Sequence, residues 1–344
     1  MNELLNVLYV QTQGSNLRLD HDAVVVEVEH ESRLRLPLLA LEAIVVFGRV
    51  SLSPFLIQRC ADDGRSVVWL DRRGRFKARV EGQTRGNVLL RRAQHLALCD
   101  GSRTVAVARQ IVAAKLQNSR QVLLRAAREA AKDADGTPLR AAAGRLERIL
   151  PDLRWIDDLD QLRGAEGEAG RAYFGVFGHM VRGEREAFAM GGRSRRPPRD
   201  RVNALLSFLY ALLRAECTAA IEGVGLDPQV GYLHALRPGR PALALDMMEE
   251  LRAVFADRLA LRLVNRRQLK AGHFEALPGG AVQLTDEGRG EVIRAYQKRK
   301  EEPVEHRVLG TRLQFGLVPH VQARLLARHL RGDLLHYPPF LYRG

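Results

Sequence analysis

Residues 75–99 read RFKARVEGQTRGNVLLRRAQHLALC, and the hydrophobic period changes inside that stretch. In RFKARV apolar and polar side chains alternate, the period of a strand with one buried face. In NVLLRRAQHLALC the apolar positions recur at helical spacing. The glycine-flanked segment between them, GQTRG at 82–86, predicts a domain boundary. Working outward toward the N-terminus, LLNVLYV, AVVVEVEH after the turn at Asp20–Asp22, AIVVFGRV and SVVWLD read as further short strands. A short helix, PFLIQRCADDG, interrupts them, with Ser53 placed to cap it and Pro54 at its first position.

Toward the C-terminus nearly every segment is helical in pattern. TVAVARQIVAAKLQNSRQVLLRAAREAA is followed by an expected break at Gly136, Thr137 and Pro138, then by LRAAAGRLERIL. GGRSRRPPRD, residues 191–200, is a basic loop that Pro197 and Pro198 keep from being helical. Asp200 is placed to cap the next helix, RVNALLSFLYALLRAECTAAIEG, which ends at Gly223. The expected fold class is therefore α+β: a small N-terminal β-rich domain over 1–85, then a larger all-α domain over 86–344.

With 46% apolar and 27% charged residues in 344, the chain has the composition of an ordinary globular protein with a real core. Its net charge is +14, with arginine far ahead of lysine, which favours partners that present phosphates to a guanidinium fork. Nucleic acid heads that class; the competing reading is a basic enzyme from an arginine-rich genome. Cys60, Cys99 and Cys217 match no zinc or redox spacing and suit a reducing cytosol. No leader pattern and no bilayer-length apolar run is read, so the expected location is cytoplasmic, with no membrane partner. A Gly-rich loop ending in Lys-Ser or Lys-Thr is missing from the sequence, which argues against ATP dependence.

The richest chemistry lies in GYLHALRPGRPALALDMMEELR, residues 231–252. Asp246 and Glu249, three apart in a helical pattern, share a face on which both carboxylates can converge, and the RPGRP turn can fold His234 back onto them. One imidazole with carboxylates suits manganese, magnesium or zinc acting on a phosphodiester. The alternative is a solvated helix face with a satisfied histidine. Leu243, Met247, Leu251 and Phe255 mark the core stripe, which puts Asp246, Glu249 and Arg252 on a neighbouring strip off the core, with Met247 and Met248 as packing residues. Upstream, Glu166 sits in RGAEGEAGRAYFGVF, where Gly167 and Gly170 are expected to admit a close neighbouring helix.

The ordered set EG...YF, RPP...NALLSF.Y and GLDP..GYLH...GR..LALD..E..R resembles the CRISPR-associated integrase family, the universal adaptation proteins that insert new spacers into CRISPR arrays. The length and the tail HYPPFLYRG resemble the I-C subtype branch. The resemblance implies a dimerising N-terminal β domain, a helical catalytic domain and a metal-dependent DNA integrase and endonuclease working by 3′-hydroxyl transesterification. It also implies that Glu166, His234 and Glu249 hold a divalent metal, Mn2+ or Mg2+, with Asp246 as a supporting catalytic residue; Glu168 and Glu250 are rival carboxylates. Many relatives carry aspartate at the last ligand position, where this chain has the longer Glu249. Implied partners are double-stranded DNA (prespacer and CRISPR repeat), a second copy forming a homodimer, a small second adaptation protein and a prespacer-trimming nuclease.

The DNA-gripping candidates are Arg195 and Arg196 in the proline loop and Arg237 and Arg240 in the turn after His234. Arg252 is read either as a phosphate contact or as a partner for Glu249, Asn203 and Ser207 as structural hydrogen-bonding groups, and Tyr173 and Phe174 as core. Two other functions stay open: a non-catalytic basic DNA-binding scaffold, and metal-dependent hydrolysis of a small phosphate ester.

Overall fold

The alternation before residue 82 produces strands in the computed structural model, which describes residues 6–72, 76–80, 82, 88–130, 133–194 and 196–343. Two compact units result, Met1–Gly86 and Asn87–Gly344. Most of the GQTRG boundary, and Arg195, lie outside the described residues.

In the first unit β1 (Asn6–Val10), β5 (Leu41–Phe47), β7 (Ser66–Leu70) and β8 (Phe76–Val80) form one sheet in the order β1-β5-β7-β8, parallel except for the antiparallel β7–β8 pair. A second sheet has the order β4-β3-β2-β6, built from β2 (Asn16–Asp20), β3 (Ala23–Val28), β4 (Glu31–Pro37) and β6 (Ser51–Leu52). Inward side chains of both sheets, among them Leu17, Val24, Ile44, Val46 and Val67, share one core with Leu56 and Cys60 of α1 (Pro54–Asp62). Ser53 caps α1 by accepting from the Leu56 N–H at 3.3 Å. The strands β2, β4 and β6 lie outside the runs read as strands from the sequence. In β4 charged residues interleave with the leucines and almost every position is exposed, as suits a sheet edge, so its apolar signal is weak.

The second unit is mainly helical: α2 (Val88–Cys99), α3 (Gly101–Arg128), α4 (Asp133–Asp152), α5 (Leu159–Gly175), α6 (Arg201–Gly223), α7 (Ala242–Leu251), α8 (Arg258–Asn265), α9 (Asp286–Glu301) and α10 (Val318–Arg331). The unit is nevertheless not the all-α domain expected from the sequence: two small hairpins, β9 (Phe274–Ala276) with β10 (Val282–Leu284) and β11 (Pro303–His306) with β12 (Thr311–Gln314), flank α9, on runs of three or four residues too short to show a strand period. Asp200 caps α6 by accepting from the Asn203 N–H at 2.7 Å. By length and composition alone α6 would cross a membrane, yet 67% of its apolar window is buried in this fold, so it is a core helix.

Three further expectations are corrected. Gly136, Thr137 and Pro138 do not break the chain: α4 runs through them, and Pro138 falls in its second turn, where it removes a single backbone hydrogen bond near the helix start. Gly167 and Gly170 do not admit a neighbouring helix, since a Cβ on Gly170 would meet nothing within 4 Å and one on Gly167 only the Arg171 side chain at 3.8 Å. Asp246, Glu249 and Arg252 are not on a strip off the core. α7 packs against α3, α6 and α10, and every residue from Ala242 to Leu251 except Leu245 is buried. A helix buried all round must give each of its charges a partner; those partners build the site.

Candidate active site

The segment before α7 lies across the start of that helix, with Pro228 accepting from the Leu243 N–H at 2.9 Å. The approach is possible because position 231 is glycine. A Cβ there would stand 2.6 Å from the Ala242 carbonyl carbon and 2.7 Å from Oδ2 of Asp246. Asp246, fully buried, gathers the segment by accepting at Oδ2 from the N–H groups of Tyr232 (2.6 Å) and Leu233 (2.9 Å). At Oδ1 it accepts from the His234 N–H (2.9 Å) and faces His234 Nδ1 at 2.7 Å. A carboxylate only accepts, so this contact places the ring proton on Nδ1 and leaves Nε2 a free lone pair. That Nε2 is 3.9 Å from Oε1 of Glu249.

Glu249 exposes 2% of its surface and takes two cations. Arg252 pairs with Oε1 from one turn along the chain, and its guanidinium stacks 4.4 Å from the centre of the Tyr210 ring. Lys115, from α3, places its ammonium 2.7 Å from Oε2 and also pairs with Glu166 of α5. Burial opposes ionisation of Glu249, but Arg252 and then Lys115 more than offset it, and the carboxyl is held well below the usual carboxylate range. Behind Arg252, buried Asp257 accepts from the hydroxyls of Tyr210 (2.6 Å) and Tyr173 (3.0 Å). These tyrosines and Phe174 line a pocket that reaches Lys115 and Glu249, so Tyr173 packs in the core and also holds a wall of the site.

The structure thus brings Glu166, His234 and Glu249 to one place from α5, a loop and α7. Asp246 does not converge there with Glu249, because its oxygens are spent on the 232–234 backbone and on Nδ1 of His234. Glu168 is exposed. Glu250 leaves α7 on a different side, into the C-terminal segment, where burial pushes its carboxyl up to about 7 against hydrogen bonds from Tyr337, the Phe340 N–H and Gln322. Among the described residues no three His, Cys, Asp or Glu side chains are close enough to share an ion as they lie, and the Lys115 ammonium stands among the carboxylates instead. The donor set still suits a divalent cation. It has two carboxylates, one free imidazole lone pair and a buried oxygen, Glu249 Oε2, that receives no aligned hydrogen bond.

Arginines gather beside this point. The Arg240 guanidinium is shifted below its ordinary value by burial and by repulsion from Arg237, with Arg163 and Arg196 adding to it. Arg163 is anchored by donating from Nε to the Leu233 carbonyl at 2.8 Å, next to His234. Arg196 and Arg237 are exposed. Such a like-charged group, mutually repelling in the free protein, is relieved by a polyanion. Asn203 is structural, donating to the Gly192 carbonyl (2.7 Å) and to Asp200 (2.6 Å), and Ser207 receives a long 3.4 Å contact from Arg193.

Sequence reasoning missed Lys115 and Arg163. A signal for Lys115 was present: it lies in the apolar stripe Ala108, Ile111, Val112, Ser119, Val122 of α3, where an ammonium requires a buried partner.

The family model for CRISPR associated protein Cas1 matches residues 8–298. Over the full length of both chains, this one is 57% identical to the CRISPR-associated endonuclease Cas1 1 of Moorella thermoacetica and 50% identical to the CRISPR-associated endonuclease Cas1 2 of Rhodospirillum rubrum. Its fold superposes on a casposase bound to integration product with a TM-score of 0.83, at 21% identity, covering 98% of this chain and 94% of that one. A Cas6-RT-Cas1–Cas2 complex gives a TM-score of 0.81 at 23% identity over 98% of this chain and 36% of that one. At these identities the structural matches speak for the fold.

Proposed function

This chain belongs to the CRISPR-associated protein Cas1 family, and we propose that it is a metal-dependent DNA integrase and endonuclease of the I-C branch that inserts new spacer DNA into a CRISPR array. One observation carries the reading: Glu166 and Glu249, far apart in sequence, share the Lys115 ammonium, with His234 Nε2 3.9 Å from Glu249 and a bank of arginines beside them.

The reaction is a transesterification. A 3′-hydroxyl oxygen of the incoming DNA bonds to a phosphorus at the edge of a repeat, the bond from that phosphorus to the outgoing 3′-oxygen breaks, and the leaving oxygen gains the proton the nucleophile loses. Water in place of the hydroxyl gives strand cleavage by the same site. Glu166, Glu249 and Nε2 of His234 would hold Mn2+ or Mg2+, which when bound supplies Lewis-acid stabilisation of the charge that develops on the phosphoryl oxygens. Asp246 fixes the tautomer and orientation of His234. Arg252 keeps Glu249 ionised although it is buried. Arg163, Arg196, Arg237 and Arg240 grip the phosphates on either side, with Arg195 in the same loop. The β-rich unit is assigned to dimerisation and the helical unit to catalysis, acting with a small second adaptation protein and a prespacer-trimming nuclease in the cytoplasm.

The test is a manganese-dependent strand-transfer assay on a repeat-containing plasmid, with and without the partner protein. His234→Ala and Glu166→Ala should abolish transfer while DNA binding persists. Undiminished transfer by both variants would reject the assignment and leave a DNA-binding scaffold whose acidic residues serve only as ion-pair partners.

A further inference from the structure

The C-terminal segment, which the proposed chemistry leaves unused, is tied into the back of the catalytic helix. Glu250 is fully buried. Its Oε1 accepts from the Tyr337 hydroxyl at 2.6 Å, and its Oε2 accepts from the Phe340 N–H at 2.6 Å and from Gln322 Nε2 at 2.9 Å. Asn118 closes the tie from the other side. It donates from Nδ2 to the carbonyls of Glu250 (2.7 Å) and Phe340 (2.9 Å), and its Oδ1 accepts from the Tyr342 N–H at 2.9 Å.

These anchors stand directly behind the site. Glu250 follows Glu249 in α7, so the two side chains leave the helix about 100° apart, one toward Lys115 and one into the tail. Asn118 is one turn beyond Lys115 on the same face of α3. Immediately after them the helix widens into a π-helical segment, Arg252–Asp257. Its backbone there departs from the ordinary i to i−4 ladder, two residues beyond the Glu250 anchor.

We infer that the segment 337–342 is a positioning strap that holds α7 against α3 through Glu250 and Asn118 and thereby sets the Glu249 carboxylate at the proposed metal site, an inference that rests on the metal reading given above. Tyr337, Glu250 and Asn118 are positioning residues, since none of them faces the reacting atoms.

Tyr337→Phe removes one hydroxyl and keeps the ring in its core position. Manganese binding is followed by titration calorimetry on the whole chain, with strand transfer resolved into kcat and KM for DNA. The Mn2+ dissociation constant should rise about tenfold or more, as when other supports of metal ligands are removed, and kcat should fall with KM little changed. Val292→Ala, a buried truncation in α9, serves as a control for simple loss of stability. If Tyr337→Phe lowers the melting temperature as that control does but leaves Mn2+ affinity and kcat at wild-type values, the tail is only structural and the inference falls.

A second measurement needs no variant. Binding and strap must be linked reciprocally, so Mn2+ should slow hydrogen exchange at the Phe340 and Tyr342 amides of the wild-type protein. Unchanged exchange at saturating Mn2+ overturns the strap. A wild-type protein that binds no Mn2+ overturns the metal reading, and the strap's role falls with it.

Discussion

Lys115 offers the sharpest test of how the site is balanced. It pairs with two carboxylates, Glu166 and Glu249, and the latter takes one other cation, Arg252. Lys115→Met keeps the apolar stem and deletes the ammonium, leaving Glu249 Oε2 buried beside no cation while Arg252 stays on Oε1. Breaking a buried ion pair outright costs roughly 3–5 kcal/mol, and the remaining arginine brings that down to about 2 kcal/mol. In a helical unit of this size such a loss lowers the melting temperature by about 4–8 °C.

The same ammonium must leave the carboxylates before a divalent cation can use them. If it is fully displaced in the metal-bound protein, the substitution raises the energy of the metal-free state alone, and the whole loss returns as affinity. About 2 kcal/mol corresponds to Mn2+ binding roughly 30-fold tighter. Saturating Mn2+ should then bring the variant's melting temperature back to that of the metal-bound wild type. Thermal melts with and without Mn2+, together with calorimetric titration, measure both sides of this cycle. An unchanged melting temperature in the metal-free variant, or a lowered one with no gain in Mn2+ affinity, would refute the argument that Lys115 stands in the cation's place.

Asp246→Asn puts an amide donor where four donors converge. It should cost about 2–4 kcal/mol in a denaturant melt and reduce strand transfer by about 10–100-fold through a misoriented His234. Arg237→Ala and Arg240→Ala should weaken binding to DNA of any sequence, each lowering the slope of log affinity against log salt by about 1; equal slopes in variant and wild type would remove them from the phosphate contacts. Burial pushes the Cys60 thiol up to about 11 and raises that of Cys217 well above its ordinary value, whereas Cys99 is exposed. A disulfide reagent at pH 8 should therefore titrate one thiol quickly in the folded protein and three after denaturation, the thiolate being the reactive form.

Local pattern reached only so far into this molecule. The change of period near residue 82 places the switch from strands to helices, and Ser53 and Asp200 mark helix starts, because alternation and capping act within a few residues. The triad of Glu166, His234 and Glu249 came from a resemblance of motifs. What periodicity contributed about their helix was misleading, since charged residues next to an apolar stripe normally mean a solvated face.

α7 and the π-helical segment after it show why. Asp246, Glu249, Glu250, Arg252 and Asp257 crowd a dozen residues, and all are buried or nearly so. Each is satisfied from elsewhere in the fold: Asp246 by the loop at 232–234, Glu249 by Lys115 of α3, Glu250 by the tail at 337–340, Arg252 by the Tyr210 ring and Asp257 by Tyr173 and Tyr210. Most of these partners lie tens of residues away, beyond the reach of any helical period. One-dimensional pattern can flag an inconsistency, such as Lys115 inside the apolar stripe of α3. It cannot say which of many carboxylates resolves it. At sites of this kind local rules fail because long-range charge pairing replaces local solvation. The residues hardest to place from the sequence are for that reason the ones on which the site's geometry depends.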